Sequence, residues 1–329
     1  MRAVKNLLVL YTGGTIGMLE TPEGLAPAGG FEARMREHFA QQADAPQVQW
    51  SLMEMNPLLD SANMQQANWL AMRDAIVEAV EVGGHDGVLL LHGTDTLAYS
   101  AAVLSFLLLG LPVPVLLTGS MLPAGAPGSD AWDNLSGALR QFEAGLEEGV
   151  QLYFHGQLLH GCRASKLRSE AFDAFAVLPR HREGERVGSV PAALDYRQPR
   201  KLVNLAVMPV FPGLQADHLR ALLDSGVQGL LLECYGSGTG PSDDHALLEV
   251  LQAARQRGVM IVAISQCPEG SVVFDTYAAG NKLRGAGLVS GGGMTREAAL
   301  GKLFALLGAG LDADAAERWF ALDLCGERA

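Results

Sequence analysis

Residues 9–19, VLYTGGTIGML, run from an apolar stretch straight into a glycine-rich loop. Leu7 to Tyr11 reads as a buried strand, and Gly13, Gly14 and Gly17 make the chain leaving its end pliable. In open α/β sheets ligands bind beyond the carboxyl ends of strands, where freed backbone N–H groups meet a phosphate or an oxyanion equally well. The loop is therefore either a nucleotide cradle or the seat of a nucleophile.

Outward from this strand the first half alternates strand-like and helix-like runs: FEARMREHFAQQ, VQWSLMEM, WLAMRDAIVEAV, GVLLLH, LAYSAAVLSFLLL, VPVLLTG, AWDNLSGALRQF and VQLYF. Such alternation predicts βα units and an α/β fold, with a larger N-terminal doubly wound domain built on a mostly parallel sheet. Trp132, Leu135, Leu139, Phe142 and Leu146 recur at steps of three and four, one helical face turned to the core. Between residues 181 and 212 the pattern loosens into charged, proline-bearing sequence. Alternation then resumes, which predicts an N-terminal domain over 1–185, a linker over 186–211 and a smaller C-terminal α/β domain over 212–329.

The bulk properties narrow the function. With 36 acidic and 24 basic residues the net charge is −12, which opposes a polyanionic partner, so nucleic acid is not expected. Cys162, Cys234, Cys267 and Cys325 form no C-x-x-C pair, as expected for free thiols in a reducing compartment. The start, MRAVKNLLVLY, has too short an apolar run for a signal peptide, so a cytoplasmic protein is expected. Thr96 to Ser129 carries no Asp, Glu, Lys or Arg, but Gly110, Pro112 and Pro114 divide it. A buried helix from Thr96 to about Leu109 and a short strand account for it better than a membrane span does.

Several motifs are absent: the P-loop, the H-E-x-x-H zinc site and the G-x-S-x-G nucleophile elbow. The first loop is G-G-x-x-G, not the dinucleotide G-x-G-x-x-G, which leaves a nicotinamide enzyme open but weakly supported, and no metal-ligand spacing is present, so no metal is expected. The second strand leads into NPLLDSANM, with Asp60 and Ser61, and the third into LLLHGTDTLAYS, with Thr94 and Asp95. Taken alone, GTDT reads equally as a turn with Thr96 capping the next helix. Together, three strand ends carrying TGGT, DSAN and HGTD bring hydroxyls and carboxylates to one crevice. That set suits nucleophilic acyl transfer if a partner takes the hydroxyl proton, and Lys166, in an expected loop, is the candidate. By itself a lone lysine such as Lys166 is more often just a solvated charge.

YTGGTIGM and GVLLLHGTDTLAY together resemble the two signature segments of the bacterial-type L-asparaginase family, with LLDSANM, GCRASK, FDAF and SQC in the expected order. DSANM and RASK are more similar to the cytoplasmic type I branch than to the periplasmic type II branch. The resemblance implies hydrolysis of L-asparagine to L-aspartate and ammonia in two acyl-transfer steps without a cofactor. It implies Thr15 as primary nucleophile on a mobile lid, with Thr94, Asp95 and Lys166 as the second catalytic set and the Thr94 N–H as oxyanion donor. Asp60 and Ser61, with Thr94 and Asp95, would grip the substrate's charged groups, and the family's usual homodimer or homotetramer is implied as well.

Three positions depart from the family pattern. Leu25 stands where many members have a lid tyrosine, and Tyr277 in FDTYAAG is the expected replacement. Thr239 in YGSGTGP replaces an asparagine that reaches a neighbouring subunit's site. Glu233 replaces the arginine that, with a cysteine matching Cys267, serves asparagine activation in some type I members, so no such activation is expected. Three alternatives stand beside asparagine hydrolysis. One is a preference shifted toward glutamine; another is a catalytically weak amino-acid-binding sensor. The third, an ammonia-producing subunit of a tRNA-dependent amidotransferase, is disfavoured because the chain starts at the first strand.

Overall fold

The computed structural model describes residues 4–181 and 183–328, and the chain packs as two compact units divided between Val177 and Leu178. In the first unit β1 (Leu7–Gly13) leads to a hairpin of β2 (Met18–Thr21) and β3 (Gly24–Pro27), then α1 (Phe31–Ala40) and β4 (Trp50–Leu59). There follow α2 (Gln66–Glu81), β5 (Gly87–Leu91), α3 (Leu97–Leu107), β6 (Pro114–Thr118), α4 (Ala131–Ala144) and β7 (Gly149–Phe154). The short strands β8 (Gln157–His160), β9 (Ala164–Lys166) and β10 (Phe175–Val177) complete it.

The main sheet is six-stranded in the order β4-β1-β5-β6-β7-β8, parallel except for the β7–β8 hairpin. Because the central strands are covered on both faces, they read as continuous apolar runs. Leu7, Val9 and Tyr11 of β1 join Phe31 and Met35 of α1 and Leu135, Leu139 and Phe142 of α4 in one core cluster. α2 and α3 pack together on the opposite face. The β5–α3–β6 and β6–α4–β7 connections thus step the same way across the sheet with their helices on opposite faces. Their crossovers therefore have opposite hands, against the usual right-handed preference. The charge-free stretch after Thr96 is α3, buried along nearly its whole length, and then β6, buried throughout. Among the described residues no helix is long and apolar enough to cross a membrane.

This strand order reverses at β1: the chain moves from β1 outward to β4, then returns past it to β5. The crevice beyond the carboxyl ends of β1 and β5 is the topological switch point, where open α/β sheets place their ligands.

The second unit contains β11 (Leu205–Pro209), α5 (Ala216–Asp224), β12 (Gly229–Cys234), α6 (His245–Gln256) and β13 (Met260–Ser265). α7 (Ala278–Gly285), β14 (Leu288–Ser290), α8 (Arg296–Gly308) and α9 (Ala313–Ala321) follow. Its sheet is four-stranded and parallel in the order β11-β12-β13-β14, so the fold is α/β in both units, with the smaller sheet in the second. Leu230, Leu232, Ile261 and Ala263 pack with Leu219, Leu247 and Leu251 in its core. β11 lies within the segment 186–211 that reads from sequence as a linker.

Candidate active site

Three loops meet at the switch point. Beyond β1, Gly14 adopts φ 82° and Thr15–Gly17 form one 3-10 turn. The Gly14 N–H donates to Leu59 O at 3.0 Å, which ties this loop to the end of β4. A Cβ added at Gly14 would lie 2.2 Å from the Gly93 nitrogen, and one at Gly93 would lie 2.5 Å from Ser61 Oγ. The loops after β1, β4 and β5 thus touch backbone to backbone, which a side chain at either glycine would prevent. Thr15, on the first of these loops, is partly exposed, and among the described residues of its own unit no side chain hydrogen-bonds its hydroxyl.

After β4, Asp60 caps a 3-10 turn at Ser61–Asn63, its Oδ1 accepting from the Ala62 N–H at 3.2 Å. Asp60 thus serves its own loop as a turn cap. Its carboxylate is nonetheless exposed, while Ser61 is buried against Gly93. Thr96 occupies the N-cap position of α3 but makes no side-chain cap bond; its hydroxyl donates to Ser61 O at 2.9 Å and links two loops instead.

Thr94 and Asp95 open the turn between β5 and α3. Lys166 Nζ donates to Thr94 Oγ1 at 3.0 Å and to Asp95 Oδ1 at 2.7 Å, joining residues more than 70 positions apart. The Lys166 side chain is 19 % exposed and that of Asp95 62 %. Lys166 is the last residue of strand β9, not a loop residue as read from sequence. Pairing of β9 with β10, Lys166 opposite Phe175, fixes the base of the side chain.

The sequence reading missed the support beneath Thr94. His92, the residue before Gly93, is fully buried, with Nδ1 2.7 Å from Gly93 O and Nε2 2.8 Å from Ser100 Oγ. Trp69 Nε1 donates to Ser100 Oγ at 2.9 Å, so Ser100 donates to Nε2 and the neutral His92 ring donates its Nδ1–H to the carbonyl. Burial pushes the imidazole down to about 4. An unfolded chain takes up this proton below about pH 6.5, whereas the folded one refuses it until about pH 4. Stability is therefore lost as pH falls through that window, by roughly 3 kcal/mol. Thermal denaturation of wild type and His92→Gln between pH 7 and 4 checks this, the variant being expected to show the shallower decline. The only sequence signal for this role was a polar residue ending an otherwise apolar strand.

Of the remaining candidates, Leu25 lies half-exposed on β3, and Tyr277, 59 % exposed, is the N-cap residue of α7 in the second unit. The Thr239 hydroxyl turns back toward Tyr235 O of its own loop. Glu233 is buried and held by Arg296, with Nε–Oε1 2.5 Å and Nη2–Oε2 2.9 Å, while Cys267 is exposed.

Comparison with known proteins gives matches along nearly the whole chain. Residues 6–195 match the family model "Asparaginase, N-terminal" and residues 204–320 the model "Glutaminase/Asparaginase C-terminal domain". The chain is 35 % identical to L-asparaginase 1 of Escherichia coli (strain K12), with 98 % of each chain covered. Among solved structures, the thermostable L-asparaginase from Thermococcus kodakarensis superposes with a TM-score of 0.85 at 31 % identity, covering 98 % of this chain and 99 % of that one. L-asparaginase I from Vibrio cholerae O1 biovar eltor gives 0.83 at 31 % identity, covering 99 % and 100 %. With threonines at the switch point, a lysine joining Thr94 to Asp95, and family models spanning both units, this chain belongs to the asparaginase family.

Proposed function

We propose that the protein is an L-asparaginase that hydrolyses the side-chain amide of L-asparagine to L-aspartate and ammonia. The observation that carries this reading is the Lys166–Thr94–Asp95 set at the switch point, in contact through Gly93 and Gly14 with the loop that bears Thr15.

The proposed path has two steps. Thr15 Oγ attacks the amide carbon, and the developing oxyanion is met by the Thr94 N–H at the start of its turn. The C–N bond breaks and ammonia leaves with the proton that Thr15 surrenders. Thr94, Asp95 and Lys166 then orient a water onto the β-aspartyl ester. The water oxygen bonds the carbonyl carbon, the bond to Thr15 Oγ breaks, and a water proton returns to Thr15 through this set. The exposed Asp60 carboxylate suits the substrate's ammonium, and Ser61 and Asp95 complete the grip on its charged end. Tyr277 is assigned the proton-relay role that Leu25 cannot fill, since a phenol polarises a hydroxyl and an aliphatic chain does not. The resemblance of DSANM and RASK to the cytoplasmic type I branch supports a cytoplasmic enzyme, and the family resemblance supports a homodimer or homotetramer.

Ammonia release from L-asparagine and L-glutamine by the purified protein tests the reading. Faster release from asparagine is expected. Faster release from glutamine favours the shifted amidase, and no release combined with a rise in melting temperature on adding asparagine favours the sensor. A second expectation concerns activation. The Glu233 carboxylate is neutralised by Arg296 rather than left to repel an effector, yet the pair already fills the position with its own partners. The rate should therefore depend hyperbolically on asparagine, and a sigmoidal curve from steady-state assays would overturn this.

A further inference from the structure

Within the first unit the hairpin β2–β3 begins directly after the turn that bears Thr15 and ends just before α1, so any swing of the hairpin would hinge at these two ends. At the first hinge the Ile16 carbonyl accepts from the Ala124 N–H at 3.1 Å, and the Gly17 carbonyl accepts from Arg34 Nη2 at 3.0 Å. Arg34 thus supplies a side-chain bond to the backbone of this turn. Its guanidinium also lies 4.9 Å over the Phe31 ring, which stacks on Tyr11 at 5.2 Å. At the second hinge the Tyr11 hydroxyl donates to Ala28 O at 3.2 Å, and Glu54 Oε1 accepts from the Gly30 and Phe31 N–H groups at 2.8 and 3.1 Å.

The two hinges share this cluster. Tyr11 OH stands where a Cβ at Gly17 would come within 1.9 Å, so the phenol that holds Ala28 also abuts Gly17. Burial pushes the Tyr11 phenol up to about 12, which keeps it a donor across the working pH range. Between the hinges, residues 19–25 are exposed and Pro22–Glu23 form the two-residue tip. An exposed hairpin fastened at its ends by the buried Tyr11, the half-buried Arg34 and the exposed Glu54 is the arrangement expected of a lid whose closing position must be reproducible.

We propose that Arg34 is a positioning residue for Thr15: with Tyr11 and Glu54 it clamps both ends of the β2–β3 lid, so that lid closure brings the Thr15 hydroxyl to one fixed place. The claim rests on the asparaginase reading for its kinetic consequence and on the hinge geometry alone for its mechanical one. Asp60, Ser61 and Asp95 lie on other loops, so loosening the clamp affects the attack more than the grip on substrate.

The test uses the full chain with Arg34→Met, Arg34→Lys and Tyr11→Phe. Arg34→Met should lower kcat for asparagine by roughly 10- to 100-fold, the scale on which misplacement of a reacting group by about 1 Å is felt, with KM changed less than about threefold. Arg34→Lys, which keeps a donor, should regain most of that loss. Independently of turnover, cleavage after Glu20 and Glu23 by a glutamate-specific protease, read site by site by mass spectrometry, should accelerate at least about fivefold in Arg34→Met and Tyr11→Phe. Cleavage unchanged within twofold in both variants overturns the clamp. Faster cleavage with unchanged kcat overturns the positioning of Thr15. If wild type releases no ammonia from asparagine while cleavage accelerates in the variants, the asparaginase reading fails and the clamp stands. If Arg34→Met is recovered unfolded, Arg34→Lys and Tyr11→Phe decide by the same criteria.

Discussion

Thr15→Ala is expected to lower ammonia release from asparagine by about 10⁴-fold or more, and Lys166→Met by about 10³-fold, with both proteins folded. On the proposed path Thr15→Ala removes the atom that would bond the substrate carbonyl, so no acyl-enzyme would form. Lys166→Met keeps the length of the stem but deletes the ammonium that holds Thr94 Oγ1 at 3.0 Å and Asp95 Oδ1 at 2.7 Å. Loss of that ammonium leaves the Asp95 carboxylate in water, where it is already 62 % exposed, so the stability cost should stay below about 1 kcal/mol. Steady-state ammonia release gives the rate losses and thermal unfolding gives the stability. A Lys166→Met enzyme within tenfold of wild type would remove Lys166 from the chemistry. A Thr15→Ala enzyme that no longer gains melting temperature from asparagine would show that Thr15 serves binding as well as attack.

Gly14→Ala should damage both fold and activity. The residue would have to hold φ 82°, which costs an alanine about 1–2 kcal/mol. Its methyl would also sit 2.2 Å from the Gly93 nitrogen, where no flexible side chain can yield. Moving the two loops apart should bring the total to about 3 kcal/mol or more, a fall in melting temperature of roughly 6–12 °C. Turnover should collapse as well, because Thr15 follows Gly14 directly and Thr94 follows Gly93. Circular dichroism melts with parallel rate assays check this. An alanine variant that melts like wild type would mean that the three loops do not meet as described.

The main strands were legible because the sheet is covered on both faces. LLVLY, GVLLLH and VPVLLTG are runs that only a doubly buried strand requires, and each emerged as β1, β5 and β6. The α4 face was legible from its spacing; Leu135, Leu139 and Phe142 are buried as read, Leu146 is buried just past the helix end, and Trp132 packs at the edge. β2, β3, β8, β9 and β10 escaped because they are short, part-exposed and antiparallel, so their residues carry neither an apolar run nor a clear alternation. β11 escaped because it is partly exposed and lies in a stretch of mixed composition.

For the site, chain order and local composition were enough to identify the three loops and the residue types they bring, since strands of a parallel sheet end on one side and loop chemistry is written locally. How those loops touch was settled only in three dimensions. The Gly14–Gly93–Ser61 contact depends on a strand order in which β1 lies between β4 and β5, and sequence adjacency does not encode that neighbourhood. Lys166 reaches Thr94 and Asp95 because β9 and β10 pair, an alignment set by backbone hydrogen bonds rather than by any motif. His92 looked like a strand end in sequence; its burial, its neutral ring and its bonds to Gly93 and Ser100 arise from α2 and α3 packing over it. Local sequence specifies which groups a loop offers, whereas distance, burial and protonation are properties of what the fold places around them.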